Sequence, residues 1–536
     1  MGRRYGQTFL ILWMLYCSIC DGKKAPHILF IVADDLGWND VGYQNPAMIT
    51  PNIDKMARKG VIMNSSYVHP ICTPSRNSFL TGVYPFRVGL QNYGIDPMQP
   101  RHMSLNTPTL PEKLKNLGYS THMLGKWHLG YCNERYTPNS RGFDTFMGFY
   151  NGGQDYYTHM RKRGFDFRNN SQIYRPPPRQ YSTKTYAKRA IEIIKHHKPK
   201  SNPLFMYLAF QSVHTPLQVP KRYEKMYKKV KNKERRIYSG MVSAMDDAIG
   251  AIMTAFRKYK YMNNLLVVFT TDNGGAAHIG ANNLPLRGSK TTLWEGGTRA
   301  VTFVYSKTLL KKRAYVQNGL MHAIDWYPTL LAAAGGRPKH ERHIDGVNQW
   351  PLIRAGRRSR RKDFVYDIDK ELGRGAIRVG DYKLIYGKPG DYNDWYSVPK
   401  GDGYCPIYDA RDGDEIFLYD SLNHLARRVQ HMVGWFATYI PGYKLWRRLQ
   451  RQKHNRLCKM HKKRDKETRF PMYLLYNIKD DPGERRNIAG YKPMMVYKMK
   501  ARMDRYMRFA MDRQSKTKIK KADPKYYNNT WSPGWC

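Results

Sequence analysis

The chain has 536 residues, with 91 Lys and Arg against 42 Asp and Glu, a formal net charge of +49. That length supports a large core and two domains more readily than one. So basic a chain would suit nucleic acid in the cytosol or nucleus, but it carries no nucleic-acid-binding motif and opens like a secreted protein, which excludes that partner. The polyanions left are sulfated polysaccharides and anionic membrane surfaces, attracted by counterion release. A generally solvated basic surface is the alternative.

Met1-Gly2-Arg3-Arg4 precede an apolar run from Phe9 to Cys20. The basic start, the short apolar stretch and the small residues before Asp21 read as a signal peptide over 1–20, too short to span a bilayer. No later segment is apolar enough for a stable membrane span. Asn-x-Ser/Thr sequons at Asn64, Asn169 and Asn528 agree with a secretory route.

Downstream of Pro26, short apolar runs alternate with helical stretches. His27 to Ala33 is continuous and rich in β-branched residues, as a strand buried on both faces should be. Thr107 to Leu117 carries Leu110, Leu114 and Leu117 at helical spacing. Tyr119 to Leu124 is a strand, Thr185 to Ile194 a helix, Pro203 to Phe210 a strand, and Tyr238 to Arg257 a long helix. Leu265 to Thr270 is a second core strand. This alternation predicts an α/β fold with a large, mostly parallel sheet and helices on both faces, over about 23–356. After Gly356 a hairpin over Ala376 to Tyr386 and a strand at Tyr473 to Ile478 predict a smaller antiparallel sheet domain over 357–536. A basic insertion near 413–466 interrupts it. Met494 to Lys521 interleaves Met and Tyr with Lys and Arg, a basic packing helix in preference to a membrane-surface one.

Polar motifs close the predicted strands. Asp34 and Asp35 follow the first, where parallel sheets place ligands. Adjacent aspartates there repel unless a cation neutralises them, the alternative being a cap on a turn. Asp272 and Asn273 close the Leu265 strand in the same way. Together the four offer an all-oxygen set suited to Ca²⁺ or Mg²⁺ and not to zinc. Lys126 and His128 end the Tyr119 strand, His214 ends the Pro203 strand, and Lys290 follows Asp272 by 18 residues.

The run Cys72-Thr73-Pro74-Ser75-Arg76, with Thr81-Gly82 downstream, resembles the signature of type I sulfatases. Gly125-Lys126-Trp127-His128-Leu129-Gly130, His214-Thr215-Pro216 and Lys290 beyond Asp272-Asn273-Gly274 follow in that family's order. The resemblance runs from about Pro26 to Arg354 and returns weakly at Tyr473–Ile478 and Asp480–Glu484. Within the family the wording, with Arg141-Gly142-Phe143-Asp144, is similar to the arylsulfatase B, I and J group.

The resemblance implies an alkaline phosphatase-like fold and a sulfuric ester hydrolase of the lysosome or extracellular space. Its substrate would be an aryl sulfate or a sulfated glycan such as N-acetylgalactosamine 4-sulfate units of dermatan or chondroitin sulfate. Cys72 would be converted to Cα-formylglycine by the formylglycine-generating enzyme, its hydrate acting as nucleophile. One Ca²⁺ would be held by Asp34, Asp35, Asp272, Asn273 and residue 72. Arg76 and Lys126 would hold the modified residue, Lys290 and His214 would bind sulfate with one protonating the leaving group, and His128 would take the second hydroxyl's proton. Setting Cys72 aside leaves four mature cysteines, an even number, with Cys405–Cys458 and then Cys132–Cys536 as the expected pairs. A catalytically silent glycan-binding protein and a phosphoester hydrolase of the same superfamily are the competing readings.

Overall fold

The computed structural model describes residues 24–338, 344–396 and 471–536. The expected signal peptide, the Cys405–Cys458 pair and the insertion at 413–466 lie outside these residues.

Ten strands form the main sheet. They are β1 (His27–Ala33), β2 (Val61–Met63), β3 (Ser120–Lys126), β4 (Thr145–Phe149), β5 (Arg168–Asn169), β6 (Gln172–Ile173), β7 (Leu204–Ala209), β8 (Leu265–Thr271), β9 (Phe303–Tyr305) and β10 (Tyr315–Gln317). Their order is β10-β2-β9-β8-β1-β7-β3-β4-β5-β6. The five central strands β8, β1, β7, β3 and β4 are parallel, and antiparallel pairings flank them on both sides, so the sheet is mixed at its margins. β1, β7 and β8 are buried along their whole length. Their uninterrupted apolar sequences follow from needing two apolar faces.

Helices cover both faces. Leu29, Ile31, Met206 and Leu208 pack with residues of α3 (Ser182–His196) and α4 (Lys233–Lys258). Phe30, Val32, Tyr207 and Val268 pack with residues of α1 (Cys72–Thr81), α2 (Leu110–Lys115) and α5 (Trp326–Ala333). α2 is shorter than its leucine spacing suggests. Thr109 and Glu112 form a reciprocal capping box that starts it at Leu110, and Leu117 lies beyond its end, 38% exposed.

A second, antiparallel sheet comprises β11 (Asp363–Asp369), β12 (Arg374–Val379), β13 (Tyr382–Tyr386) and β14 (Tyr473–Asn477), in that order. Gly380 makes the β12–β13 turn in the left-handed region, where a side chain would be strained. Helix α6 (Pro493–Met507) buries Met499 and Met503 against this sheet and stops well short of Lys521. The chain then crosses back over the large domain. Met511 N–H donates to Phe86 O at 2.8 Å, Ile519 N–H to Met98 O at 2.9 Å, and Cys536 is disulfide-bonded to Cys132, the second of the two expected pairs. The last residues therefore belong spatially to the large domain, beyond the boundary read near 356.

Candidate active site

The carboxylate, cysteine and lysine motifs gather at the carboxyl-terminal edge of the parallel strands, whereas Arg141-Gly142-Phe143-Asp144 precedes β4 and Asp480–Glu484 follows β14 of the small sheet. Asp34 and Asp35 follow β1, Lys126 ends β3, and Asp272 and Asn273 follow β8. Cys72 opens α1, whose first turn aims it at the same edge, with Arg76 one turn on. Oxygen or sulfur atoms of Asp34, Asp35, Cys72 and Asp272 all lie within 4.8 Å of one another, and all four residues are buried. Cys72 Sγ is 3.6 Å from Asp34 Oδ1.

Three cations match the three carboxylates. Lys126 Nζ is 2.7 Å from Asp34 Oδ2, Arg76 Nη2 is 2.8 Å from Asp272 Oδ2, and Lys290 Nζ is 2.8 Å from Asp35 Oδ1. Arg76 Nη1 also donates to Lys126 O at 2.9 Å, which ties the cysteine helix to the end of β3. His214 Nε2 lies 3.9 Å from Asp35 Oδ2. Asn273 Nδ2 donates to Asp35 Oδ1 at 2.8 Å, leaving its buried Oδ1 without a hydrogen-bond partner.

Burial and the adjacent Asp272 push the Asp34 carboxyl up to about 7, against the pull of Lys126. Burial acts upward on Asp35 too, but Lys290, His214 and Lys126 outweigh it and hold that carboxyl below the usual range. Burial pushes the Cys72 thiol up to about 12 despite Lys126 and Lys290. Burial thus favours the neutral thiol over the thiolate near neutral pH. Burial, reinforced by nearby cations, also keeps the His128 and His214 imidazoles well below their ordinary pKa.

His128 sits in the left-handed region at φ 59°, a strained conformation for a residue with a Cβ. Its Nε2 lies 3.0 Å from the Ile95 carbonyl, which fixes that nitrogen as the donor. Nδ1 is then the acceptor, and it is buried without a partner. Thr73 Oγ1 donates to the His128 carbonyl at 2.9 Å, coupling the histidine to the residue after Cys72.

Sequence reasoning missed two features. Gly152 and Gly153 make room for the histidines: a Cβ on Gly152 would lie 2.7 Å from His128 Cε1, and one on Gly153 3.1 Å from His214. The Asn151-Gly152-Gly153 run was a visible signal. The second is a buried network that fastens the small sheet to the loop carrying Lys290. Glu484 Oε2 accepts from Glu295 N at 2.7 Å, and Lys383 Nζ lies 3.0 Å from Glu295 and 2.8 Å from Glu484. Tyr67, five residues before Cys72, donates to Glu295 at 2.9 Å. Two carboxylates share one lysine, so Lys383 holds Glu295 below its ordinary value against burial, while burial and Glu295 push Glu484 up to about 7.

A family model described as Sulfatase matches residues 26–336. The chain belongs to the sulfatase family. This sulfatase is 38% identical over 519 residues to "Arylsulfatase J" of Mus musculus, covering 96% of the chain and 81% of that relative. It is 30% identical over 406 residues to "N-acetylgalactosamine-6-sulfatase" of Homo sapiens, covering 72% and 75%. Among solved structures it is similar to Ps i-CgsB in complex with k-i-k-neocarrahexaose, with TM-score 0.71, 25% identity, and coverage of 94% and 98%. The PsFucS1 sulfatase from Pseudoalteromonas sp. shares the fold at TM-score 0.67 and 20% identity. Among the described residues no helix of the sulfatase is long and apolar enough to cross a membrane.

Proposed function

We propose that this sulfatase removes sulfate from a sulfated glycan, using Cα-formylglycine at position 72 and one Ca²⁺, and that the glycan carries sulfated N-acetylgalactosamine. The observation that supports this best is the buried set of Asp34, Asp35 and Asp272 packed around Cys72. Its donors are all oxygen apart from residue 72 itself, which suits a hard cation. Burial and the neighbouring Asp272 push Asp34 upward, a strain a divalent ion would relieve, and Asn273 Oδ1 is a buried acceptor without a hydrogen-bond partner. When bound there, Ca²⁺ would supply Lewis-acid polarisation of sulfate oxygens.

The formylglycine hydrate would supply two hydroxyls on one carbon, where serine has one and cysteine none: one to attack sulfur, and a second whose deprotonation expels sulfate and restores the aldehyde. Arg76 and Lys126 hold residue 72 from the side of α1 and β3. Lys290 and His214, on the Asp35 side, neutralise the sulfate, and one of them protonates the departing alcohol oxygen. His128, with Nε2 committed to Ile95 O, receives the hydroxyl proton at Nδ1. The three carboxylates already balance three cations, so a divalent ion would leave the pocket two positive charges in excess. That excess suits a sulfate monoester approaching an ionised nucleophile.

Turnover of p-nitrocatechol sulfate tests the reading, with loss expected on Cys72→Ala and on chelation. Turnover of p-nitrophenyl phosphate in preference would overturn it in favour of a phosphoester hydrolase. Neutral turnover of neither, with retained binding of sulfated glycan, would favour the silent binding protein. Defined disaccharides sulfated at the 4- or 6-position of N-acetylgalactosamine separate the two substrate classes.

A further inference from the structure

Helix α6 buries only one stripe. Opposite Met499 and Met503 it exposes Met494 at 63% and Tyr497 at 70%, with Phe509 at 66% just past its end. Lys498, Arg505 and Arg508 are exposed on the same stretch, and none of them makes an ion pair among the described residues. Positions 498, 505 and 508 lie at spacings that keep them on one side of a helix. Arg502, in between, is paired to Asp363.

The chain that leaves this face crosses onto the loop that packs against His128. Past the helix, Gln514 Nε2 donates to Val88 O and to His102 O, both at 2.9 Å, and Lys516 Nζ sits 3.0 Å from the centre of the Tyr93 ring. The next residue, Gly94, lies against His128: a Cβ there would be 3.0 Å from His128 Cε1. The exposed Lys518 and Lys520 follow on the tail. One chain segment therefore runs cations and flat apolar side chains from the small sheet to the edge of the pocket.

We propose that this segment, the exposed face of α6 and the tail to Lys520, is an exosite that holds a sulfated polysaccharide chain while one of its sulfates occupies the pocket. The inference rests on the sulfated-glycan reading above and adds that the substrate is engaged as a polymer. The charge complements a polyanion, and exposed Tyr and Phe rings beside exposed cations suit the alternating sugar faces and sulfates of such a chain. An anionic membrane would use the same cations, but it would need a continuous apolar face, and here the exposed apolar residues are interspersed with charge.

The test uses the full-length protein and the triple variant Lys498→Glu/Arg505→Glu/Arg508→Glu, with Lys225→Glu/Lys228→Glu/Lys231→Glu as an equal charge reversal elsewhere on the surface. Binding to chondroitin sulfate chains is measured against salt, alongside turnover of p-nitrocatechol sulfate. The exosite variant is expected to bind the polymer at least tenfold more weakly, with a shallower salt dependence, while its small-substrate turnover and melting temperature stay at wild-type values. Equal weakening by both variants, unchanged binding by the exosite variant, or stronger attachment of wild type to phosphatidylserine vesicles than to chondroitin sulfate would each overturn the proposal. A variant that fails to fold is replaced by Lys498→Gln/Arg505→Gln/Arg508→Gln, for which the same outcomes apply. If wild type binds the polymer but cleaves no sulfate ester, the exosite stands and the hydrolytic reading fails.

Discussion

Glu484→Ala separates the role of the small sheet in catalysis from its role in folding. Glu484 belongs to the Asp480-Asp481-Pro482-Gly483-Glu484 run, far from the reacting atoms, yet it accepts the Glu295 backbone N–H and shares Lys383 with the Glu295 carboxylate. The same loop is held at Gly288 by Asp394 O, at 2.9 Å, and at Leu293 by Pro389 O, at 2.8 Å, and it carries Lys290. Removing the Glu484 carboxylate strands one buried N–H, a loss of about 1–3 kcal/mol. It does not strand Lys383, which keeps Glu295, so the larger cost of an uncompensated buried charge is avoided. A total of about 1–3 kcal/mol follows, or a melting temperature lower by several degrees. If the network positions Lys290, KM for p-nitrocatechol sulfate and the inhibition constant of inorganic phosphate rise together by about tenfold, since 1.4 kcal/mol of lost anion binding is a factor of ten. Glu484→Gln keeps an acceptor for Glu295 N and should recover most of both. A lowered melting temperature with both constants unchanged would refute the argument, reducing the network to a structural clamp.

Dialysis against EGTA should abolish turnover without unfolding the protein, and Ca²⁺ should restore it; full activity in excess chelator contradicts the oxygen-ligand assignment. Gly152→Ala places a Cβ 2.7 Å from the buried His128 ring, so kcat should fall at least tenfold with a stability loss of about 1–3 kcal/mol, read by steady-state kinetics and thermal melting. Asp367 is buried, its Oδ2 has no partner, and burial pushes its carboxyl up to about 7. A raised folded-state pKa means its contribution is intact below the ordinary carboxylate value and is lost as pH rises towards 7. Asp367→Asn should therefore gain on wild type between pH 4 and 8, by up to about 4 kcal/mol, in urea titrations at both pH values. A constant gap across that range would contradict the buried-carboxylate account.

The strands that carry the site were legible because a parallel strand buried on both faces must be apolar throughout, and the polar residues that end it then stand out. That logic located Asp34, Asp35, Lys126, His214, Asp272 and Asn273 at strand ends. Cys72 and Arg76 were legible from wording alone, since they sit on a helix whose every residue is buried and whose sequence shows no apolar periodicity. The sheet margins were not legible: strands of two or three residues such as β5, β6 and β9 leave too little pattern to assign a direction. Neither was the Glu295–Lys383–Glu484 network, because its members are scattered over 190 residues and each reads as an ordinary surface charge. The end of α6 was misjudged for a related reason. Lys and Arg favour helix, so composition carried the expectation past Met507, whereas the tail's backbone instead bonds to Phe86, Gly89 and Met98 on the large domain.

The central claim is chemical, that residue 72 works as an aldehyde and not as a thiol. Mass spectrometry of the peptide spanning Cys72, from protein secreted by cells that contain the formylglycine-generating enzyme, tests it directly. The account predicts a peptide that has lost the cysteine sulfur, gained an aldehyde oxygen and reacts with a hydrazide probe. An intact, alkylatable cysteine in protein that hydrolyses p-nitrocatechol sulfate would contradict it.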